Sequence, residues 1–108
     1  MKRTLKKGSQ FRRVFRTGRT FRGVSFRAIY VMNSLGFIRL GFSLSAKSGN
    51  SVKRNLIRRR IKSLANENSY RVGLDIVILP EGKLGDTKWN DIRSDFERMI
   101  KSIEDYDK

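Results

Sequence analysis

The apolar run from Leu74 to Leu79 constrains the fold most. Five of its six side chains are aliphatic, and Pro80 and Gly82 come just after it. A strand that is apolar on both faces is typical of the inside of a covered sheet, and proline and glycine end such a strand. We therefore predict a buried strand over 74–79, in a single sheet with helices packed on it.

The stretch 37–46 predicts a strand of a different kind. Apolar residues alternate along it with small or polar ones, as in a strand with one buried face and one open face. An open face of this composition can let a phosphate backbone approach, because hydroxyl and backbone groups donate to it. It can equally be a solvent-facing surface. The apolar positions are Ile38, Leu40, Phe42, Leu44 and Ala46, and the open positions are Arg39, Gly41, Ser43 and Ser45.

The N-terminal third predicts a short helix and a further strand. Phe11, Val14 and Phe15 fall on one side of a helix over 9–17, and Gly18 is a suitable terminator. We predict that the aromatic residues belong to the core, although one at an edge could stack on a base.

The segment 19–23 then predicts a basic linker, and 24–32 predicts a strand. The turn residues at 33–36 favour a hairpin into the strand 37–46. The order is α-β-β-α-β-α, and the first strand can also be split in two. This pattern predicts an α+β fold, a single α/β sandwich, with residues 1–108 as one domain that begins with a mobile basic arm, 1–8.

A last helix is predicted to begin between Asp86 and Trp89. Its apolar residues repeat with helical spacing and form one wide stripe. We predict that the stripe is core, and that the acidic residues are solvated charges that do not form a metal site. The stripe consists of Trp89, Ile92, Phe96, Met99, Ile100 and Ile103, and the acidic residues are Asp91, Asp95 and Glu97.

The charge of the chain is very unevenly distributed. Twenty-five Lys and Arg face ten Asp and Glu, and residues 1–66 contain 18 of the basic residues and no acid. Such asymmetry indicates a nucleic acid or an anionic membrane as partner. No apolar run approaches the roughly 18 residues of a membrane helix, and the basic N-terminus lacks the apolar core of a secretory signal. We therefore expect a soluble cytoplasmic protein without a membrane partner.

The composition also excludes several kinds of chemistry. The chain has no cysteine and no histidine, so disulfides, Cys/His zinc sites and Cys or His nucleophiles and bases are excluded. No other catalytic set is apparent, and we expect no small-molecule substrate. The chain is predicted to bind a nucleic acid and not to catalyse a reaction alone.

The helix predicted over 52–65 is the most basic element. Asn50 or Ser51 can cap it, and Ile57, Ile61 and Leu64 form its apolar stripe. Beside that stripe, cations at i, i+4 and i+8 repel one another by a few tenths of a kcal/mol per pair. This arrangement favours a polyanionic partner, with a solvated basic face as the alternative. The cations are Arg54, Arg58 and Lys62, and Asn55 and Arg59 extend their face.

Basic residues do not distinguish RNA from DNA. A helix such as this one could lie in a DNA major groove. An open sheet face with aromatic residues nearby favours single-stranded RNA.

These residues also resemble a known signature. Gly49-Asn50-Ser51-Val52-Lys53-Arg54-Asn55, followed by Ile57-Arg58-Arg59 and Lys62, is similar to the signature of the bacterial ribonuclease P protein subunit. The resemblance extends over about residues 4 to 103. It includes Phe11, Val14, Phe15 and Gly18, the strand 39–45 and Asp75-Ile76-Val77-Ile78, whereas Leu56 and Ser63 depart from the family pattern.

The resemblance implies a fold and a function. The fold is expected to be that of a small ribosomal-protein-like domain with a left-handed βαβ crossover through the helix 52–65. The expected partners are ribonuclease P RNA, which carries the catalysis with bound Mg²⁺, and precursor tRNA, whose 5′ leader is removed. A structural or ribosomal RNA-binding protein is the alternative.

The resemblance also implies which residues bind, with no catalytic residue and no metal ligand in this chain. The residues expected to bind the RNA subunit are Lys47, Lys53, Arg54, Asn55, Arg58, Arg59 and Lys62. Those expected to bind the leader are Phe11, Phe15, Arg27, Ser43 and Ser45.

Overall fold

The computed structural model describes residues 4–5, 8–45, 48–67, 73–81 and 87–106. The elements in chain order are α1 (Gly8–Thr17), β1 (Arg19–Arg22), β2 (Phe26–Met32), β3 (Ile38–Phe42), α2 (Ser51–Glu67), β4 (Leu74–Pro80) and α3 (Trp89–Tyr106). The predicted α+β order is confirmed, with the first strand split into β1 and β2. Ala46, Lys47, Gly82, Asp86 and most of the basic arm lie outside the described residues.

The prediction of a linker at 19–23 was wrong. Arg19 to Arg22 form β1, which pairs antiparallel with β2 from Arg19↔Tyr30 to Arg22↔Arg27. This strand lies at the sheet edge and has one partly buried aromatic residue, Phe21, among exposed residues. Charged side chains are common on edge strands, where they discourage pairing with other chains, and they concealed this strand in the sequence.

The strand order is β1-β2-β4-β3, so β4 occupies an inner position as predicted. The predicted hairpin between β2 and β3 was wrong, because β4 lies between them. It pairs antiparallel with β2 and parallel with β3. The helix α2 connects the parallel strands β3 and β4, as the resemblance implied, and the left-handed sense of that crossover stays a prediction.

Two hydrophobic cores cover the two faces of the sheet. The larger lies under α2 and α3 and contains Phe26, Leu40, Ile76 and Ile78 of the strands, together with the predicted apolar stripes of both helices. The smaller lies under α1, where Val14 and Leu5 pack with Val77. Along β4, Leu74, Ile76 and Ile78 belong to the larger core, whereas Val77 and Leu79 pack in the smaller one. Because both faces of β4 are covered, its sequence is almost continuously apolar.

Part of the predicted mobile arm is anchored to the sheet. The Leu5 side chain is buried, and its backbone N–H donates to the Leu40 carbonyl at 2.8 Å. Thr4 forms a parallel bridge with Leu40. Residues 4 and 5 therefore extend the sheet along the outer edge of β3, and only the remainder of the arm stays a prediction.

Asp95 was expected to be a solvated charge, and that expectation was wrong. The residue is 2% exposed. Its carboxylate accepts hydrogen bonds from the backbone N–H (2.6 Å) and the hydroxyl of Ser25, and from Arg98 Nη2 at 2.6 Å. Burial alone would raise the pKa of Asp95, but these hydrogen bonds hold it below its ordinary value. Asp95 thus fastens α3 to the β1–β2 turn.

Candidate nucleic-acid interface

The start of α2 is capped as the sequence predicted. The Asn50 side-chain Oδ1 accepts a hydrogen bond from the Lys53 backbone N–H at 2.9 Å. Gly49 precedes it with a φ of 133°, a conformation that L side chains rarely adopt. The cap and the glycine together fix where the helix begins and hence the rotation at which its cations are presented.

The cations of α2 lie on both sides of its buried stripe. At about 100° per residue, Arg54, Arg58 and Lys62 lie on one side of Ile57, and Arg60 lies on the other. We call the first set the Arg54 flank. Its three members are half-buried and form no ion pair with a described residue. The Asn55 side chain accepts a hydrogen bond from Arg58 Nη1 at 2.9 Å and so orients that guanidinium.

One atom of the Arg54 flank lacks a hydrogen-bonding partner. The Nε of Arg54 is buried and, within the described ranges, no acceptor lies in position for it. A buried donor without an acceptor costs free energy. An external acceptor such as a phosphate oxygen would remove that cost.

The residues expected to bind the RNA subunit do not all lie on the Arg54 flank. Lys53 lies on the opposite flank, where it lines a cavity of about 60 Å³ together with Arg60 and Trp89. Arg59 lies near the exposed crest and lines a larger groove between α2 and α3. Lys47, the remaining member of the set, is outside the described residues.

The helix α1 crosses the other face of the sheet. Along it, Phe11 lies against Gly41 of β3, Val14 packs with Val77 of β4, and Gly18 approaches Ile29 of β2. A Cβ on Gly41 would lie 2.7 Å from Phe11 Cζ, so glycine is needed there for close packing. The predicted open face of β3 is therefore covered at Gly41.

Beyond α1 the sheet face remains accessible, and we call this region the α1 cleft. Strand register places Arg27 beside Leu79, and the Ser43 backbone N–H donates to the Ile78 carbonyl. Because Arg13 projects from the far side of α1, Phe15 projects toward this row of residues. Phe15 is 46% exposed. The cleft is thus lined by Phe11, Phe15, Arg27, Leu79 and Ser43.

Two residues predicted to bind the leader have local partners. Arg27 Nε lies 2.8 Å from Glu81 Oε1, an ion pair in which both side chains are about 40% exposed. This contact is an ion pair and not a hydrogen bond, and the buried Arg27 Nε has no hydrogen-bonding partner among the described residues. The partly exposed Arg27–Glu81 pair is weak, and Arg27 can exchange Glu81 for a phosphate.

Ser45 is exposed, and its backbone carbonyl accepts a hydrogen bond from the Ser48 N–H at 2.9 Å.

A buried carboxylate that the sequence analysis missed fixes α1 on the sheet. Asp75 is 1% exposed, and it accepts hydrogen bonds from Arg39 (2.8 and 2.7 Å), Asn33 (2.8 Å) and Arg13 (3.3 Å). Burial alone would raise the pKa of Asp75, but its donors and the two guanidinium charges lower it. The hydrogen bond to Asp75 in turn raises the pKa of Arg39. Arg13 also donates to the Met32 carbonyl at 2.8 Å.

The comparisons with known proteins agree with one another. The family model described as Ribonuclease P matches residues 1–104. The chain belongs to the ribonuclease P protein family. The ribonuclease P protein component of Natranaerobius thermophilus is 35% identical over 101 residues, which span 91% of this chain and 87% of that protein. The component of Clostridioides difficile is 33% identical over 101 residues, 90% of this chain and 88% of the relative.

Solved structures of the ribonuclease P protein family have the same fold. The Staphylococcus aureus RNase P protein matches with a TM-score of 0.82 and 27% identity, and the match covers 95% of this chain and 96% of that one. The RNase P protein from Thermotoga maritima matches with a TM-score of 0.79, at 23% identity, over 92% and 96% of the two chains. A member of this family takes an RNA partner. The comparisons favour a ribonuclease P protein component over the alternative of a structural or ribosomal RNA-binding protein.

In the part of the chain that the structure describes, no group of three or more acidic side chains could hold a metal ion. No helix there is long and apolar enough to span a membrane.

Proposed function

We propose that this chain is the protein subunit of ribonuclease P. It binds the catalytic ribonuclease P RNA and the 5′ leader of precursor tRNA, and it promotes hydrolytic removal of the leader in the cytoplasm. Residues 1–108 act as one RNA-binding domain. The observation that carries the proposal is the cationic surface of α2, which has no acidic residue before Glu67, on a chain of this family.

The RNA subunit is the proposed partner of α2. Arg54, Arg58 and Lys62 stand in a row without a carboxylate from any described residue, and Arg59 and Asn55 extend the row to the crest of the helix. Each cation that neutralises a phosphate releases a counterion, which makes binding strong at low salt. Lys53 would contribute from the other flank, and Lys47, which precedes the helix in the sequence, is proposed to add a further contact.

The leader is the proposed occupant of the α1 cleft. Phe11 and Phe15 supply aromatic surface for unpaired bases, and Arg27, Ser43 and Ser45 supply a cation and hydroxyl donors for the backbone. Only the precursor carries a leader, so these contacts favour substrate over mature product. The cleft and α2 lie against opposite faces of the sheet, which lets one chain contact two RNA segments.

In this proposal, the RNA binds the Mg²⁺ ions and this chain does not. The described acidic side chains do not come together as a ligand set, and we propose that Mg²⁺ is held by the RNA subunit and the substrate. The contribution of this chain is electrostatic, because its cations reduce the repulsion between two polyanions. Less Mg²⁺ should then be needed for the RNAs to associate.

The test is cleavage of a precursor tRNA by a bacterial ribonuclease P RNA over a range of Mg²⁺ concentrations, with and without the full chain. We expect accurate 5′ cleavage at low, near-physiological Mg²⁺ only when the protein is present, and no cleavage by the protein alone. Unchanged activity of a folded RNA in the presence of folded protein would refute the proposal.

A pair of double variants tests the α2 surface. Arg58→Ala with Arg59→Ala should weaken binding to the RNA subunit, and each lost phosphate contact should lower the slope of log K against log[salt] by about 0.7–0.9. The matched control is Lys88→Ala with Lys101→Ala, which removes two exposed charges, one just before α3 and one within it. Equal slopes for both variants would exclude α2 from the interface.

A further inference from the structure

A groove of about 410 Å³ lies between α2 and α3. It is lined by Arg59, Arg60, Ser63, Leu64, Trp89 and Arg93. Leu64 is buried and Trp89 is half-buried, whereas the three arginines are exposed. The groove therefore has an apolar floor and a cationic rim. Helical geometry places the groove on the side of α2 opposite Arg54, so the groove and the Arg54 flank are separate surfaces.

One wall of the groove is a cation–π pair. The Arg60 guanidinium lies over the Trp89 ring, 5.6 Å from its centroid. Aromatic rings and guanidinium planes are the two protein surfaces on which unpaired bases stack. At the rim, Arg93 pairs with Glu97 at 2.9 Å, but both side chains are more than half exposed. Such a pair contributes little and can exchange for an anionic partner.

We propose that this groove binds an unpaired nucleotide of an RNA strand. The base stacks on the Arg60–Trp89 pair, and Arg59 and Arg93 hold the adjoining phosphates. The volume suits a nucleotide, since small-ligand sites span roughly 300–1,000 Å³. An acidic peptide would satisfy the arginines but would leave the stacked surface unused.

The strand is assigned to the catalytic RNA, and this assignment rests on the proposed function. Arg59 lines the groove and also lies near the crest of α2, so RNA bound along α2 reaches the groove without leaving the helix. The α1 cleft, the proposed leader site, is on the opposite face of the sheet.

Trp89 is the single tryptophan of the chain, and its fluorescence therefore reports on the groove directly. We would titrate the full chain with ribonuclease P RNA, and separately with precursor tRNA, while measuring emission and acrylamide quenching. We expect the catalytic RNA to quench Trp89 and shield it from acrylamide at one-to-one stoichiometry. A response to precursor tRNA alone would overturn the assignment of the strand, and no response to either RNA would overturn the groove.

Three variants distinguish base stacking on the Arg60–Trp89 pair from RNA that only lies over the groove. Arg60→Gln and Trp89→Leu should each weaken binding to the catalytic RNA by about tenfold, because base stacking is lost. Trp89→Phe keeps an aromatic face and should retain most of the affinity. The control is Lys101→Gln, the loss of one exposed charge on α3 outside the groove.

Thermal unfolding would verify that each variant is folded. Because Arg60 is exposed, Arg60→Gln remains informative if Trp89→Leu does not fold. An Arg60→Gln variant that binds no more weakly than Lys101→Gln overturns the proposal. If the wild-type chain binds no RNA and does not stimulate cleavage, the proposed function itself fails. Stimulation with unresponsive Trp89 fluorescence refutes the groove alone.

Discussion

Replacing Asp75 by asparagine should destabilise the protein strongly. The substitution keeps the size of the side chain but removes the charge that Arg39 and Arg13 share. The Arg39 side chain is 20% exposed and the Arg13 side chain 48% exposed. Most of the effect should therefore come from Arg39, whose guanidinium would remain largely buried without a counter-charge.

The magnitude follows from the contacts. Removing one partner of a buried ion pair costs about 3–5 kcal/mol, and the partial exposure of both arginines favours the lower end. We expect a loss of about 3 kcal/mol in the free energy of unfolding at pH 7. For a chain of this length, that loss should lower the Tm by about 10–15 °C.

The effect should depend on pH with a definite sign. Because the pKa of Asp75 is lower in the folded than in the unfolded chain, its stabilisation is complete above the unfolded pKa of about 3.9. The stabilisation is lost as the pH falls through the folded value. The difference between wild type and Asp75→Asn should thus be constant from pH 7 to about pH 5 and shrink below pH 4.

Urea unfolding at several pH values would measure this difference. Glu104→Gln, an equal charge change at an exposed position of α3, should alter stability by less than about 0.5 kcal/mol. A cost of under about 1 kcal/mol for Asp75→Asn, or a difference that stays constant down to pH 3, would refute the assignment of Asp75 as a buried, ionised anchor.

The remaining predictions concern α3 and the α1 cleft. Asp95→Asn should cost about 2–3 kcal/mol, because hydrogen bonds to a buried carboxylate are lost, and urea unfolding would measure the change. Gly41→Ala should displace Phe11 at a cost of about 1–3 kcal/mol and raise the KM for precursor tRNA; an unchanged KM in a folded variant would count against the cleft. Phe15→Ala should weaken binding of precursor more than of mature tRNA, whereas Leu35→Ala, at 45% exposure against 46% for Phe15, should not discriminate between them.

Much of the fold could be predicted because single segments carried strong signals. The buried strand β4, the capped helix α2 and the apolar stripe of α3 each depend on a local pattern, and the structure contains all three. The pairing of strands could not be predicted in the same way. Asn33 to Gly36 favoured a hairpin, but turn residues do not reveal whether another strand inserts between the two that they connect.

The partners of the two buried carboxylates could not be predicted from the sequence either. Asp75 is the one polar residue in an apolar run, which was a signal, but its partners come from α1, from β3 and from the turn after β2. Asp95 looked like any exposed acid because Ser25, its main partner, is 70 residues away. Neither partner set could be identified before the sheet order and the packing of the helices were known.

The division of α2 into two flanks has the same physical origin. The sequence places Arg60 and Lys53 on the other side of the apolar stripe from Arg54, but spacing alone does not say which element packs beside each flank. Once α3 occupies one side, Trp89 meets Arg60 and turns a surface charge into one wall of a groove. The cations of α2 therefore cannot be treated as one uniform positive surface. Substitutions at Arg58 should change mainly the salt dependence of RNA binding, whereas substitutions at Arg60 should lower affinity with a smaller change in slope, because stacking releases no counterions.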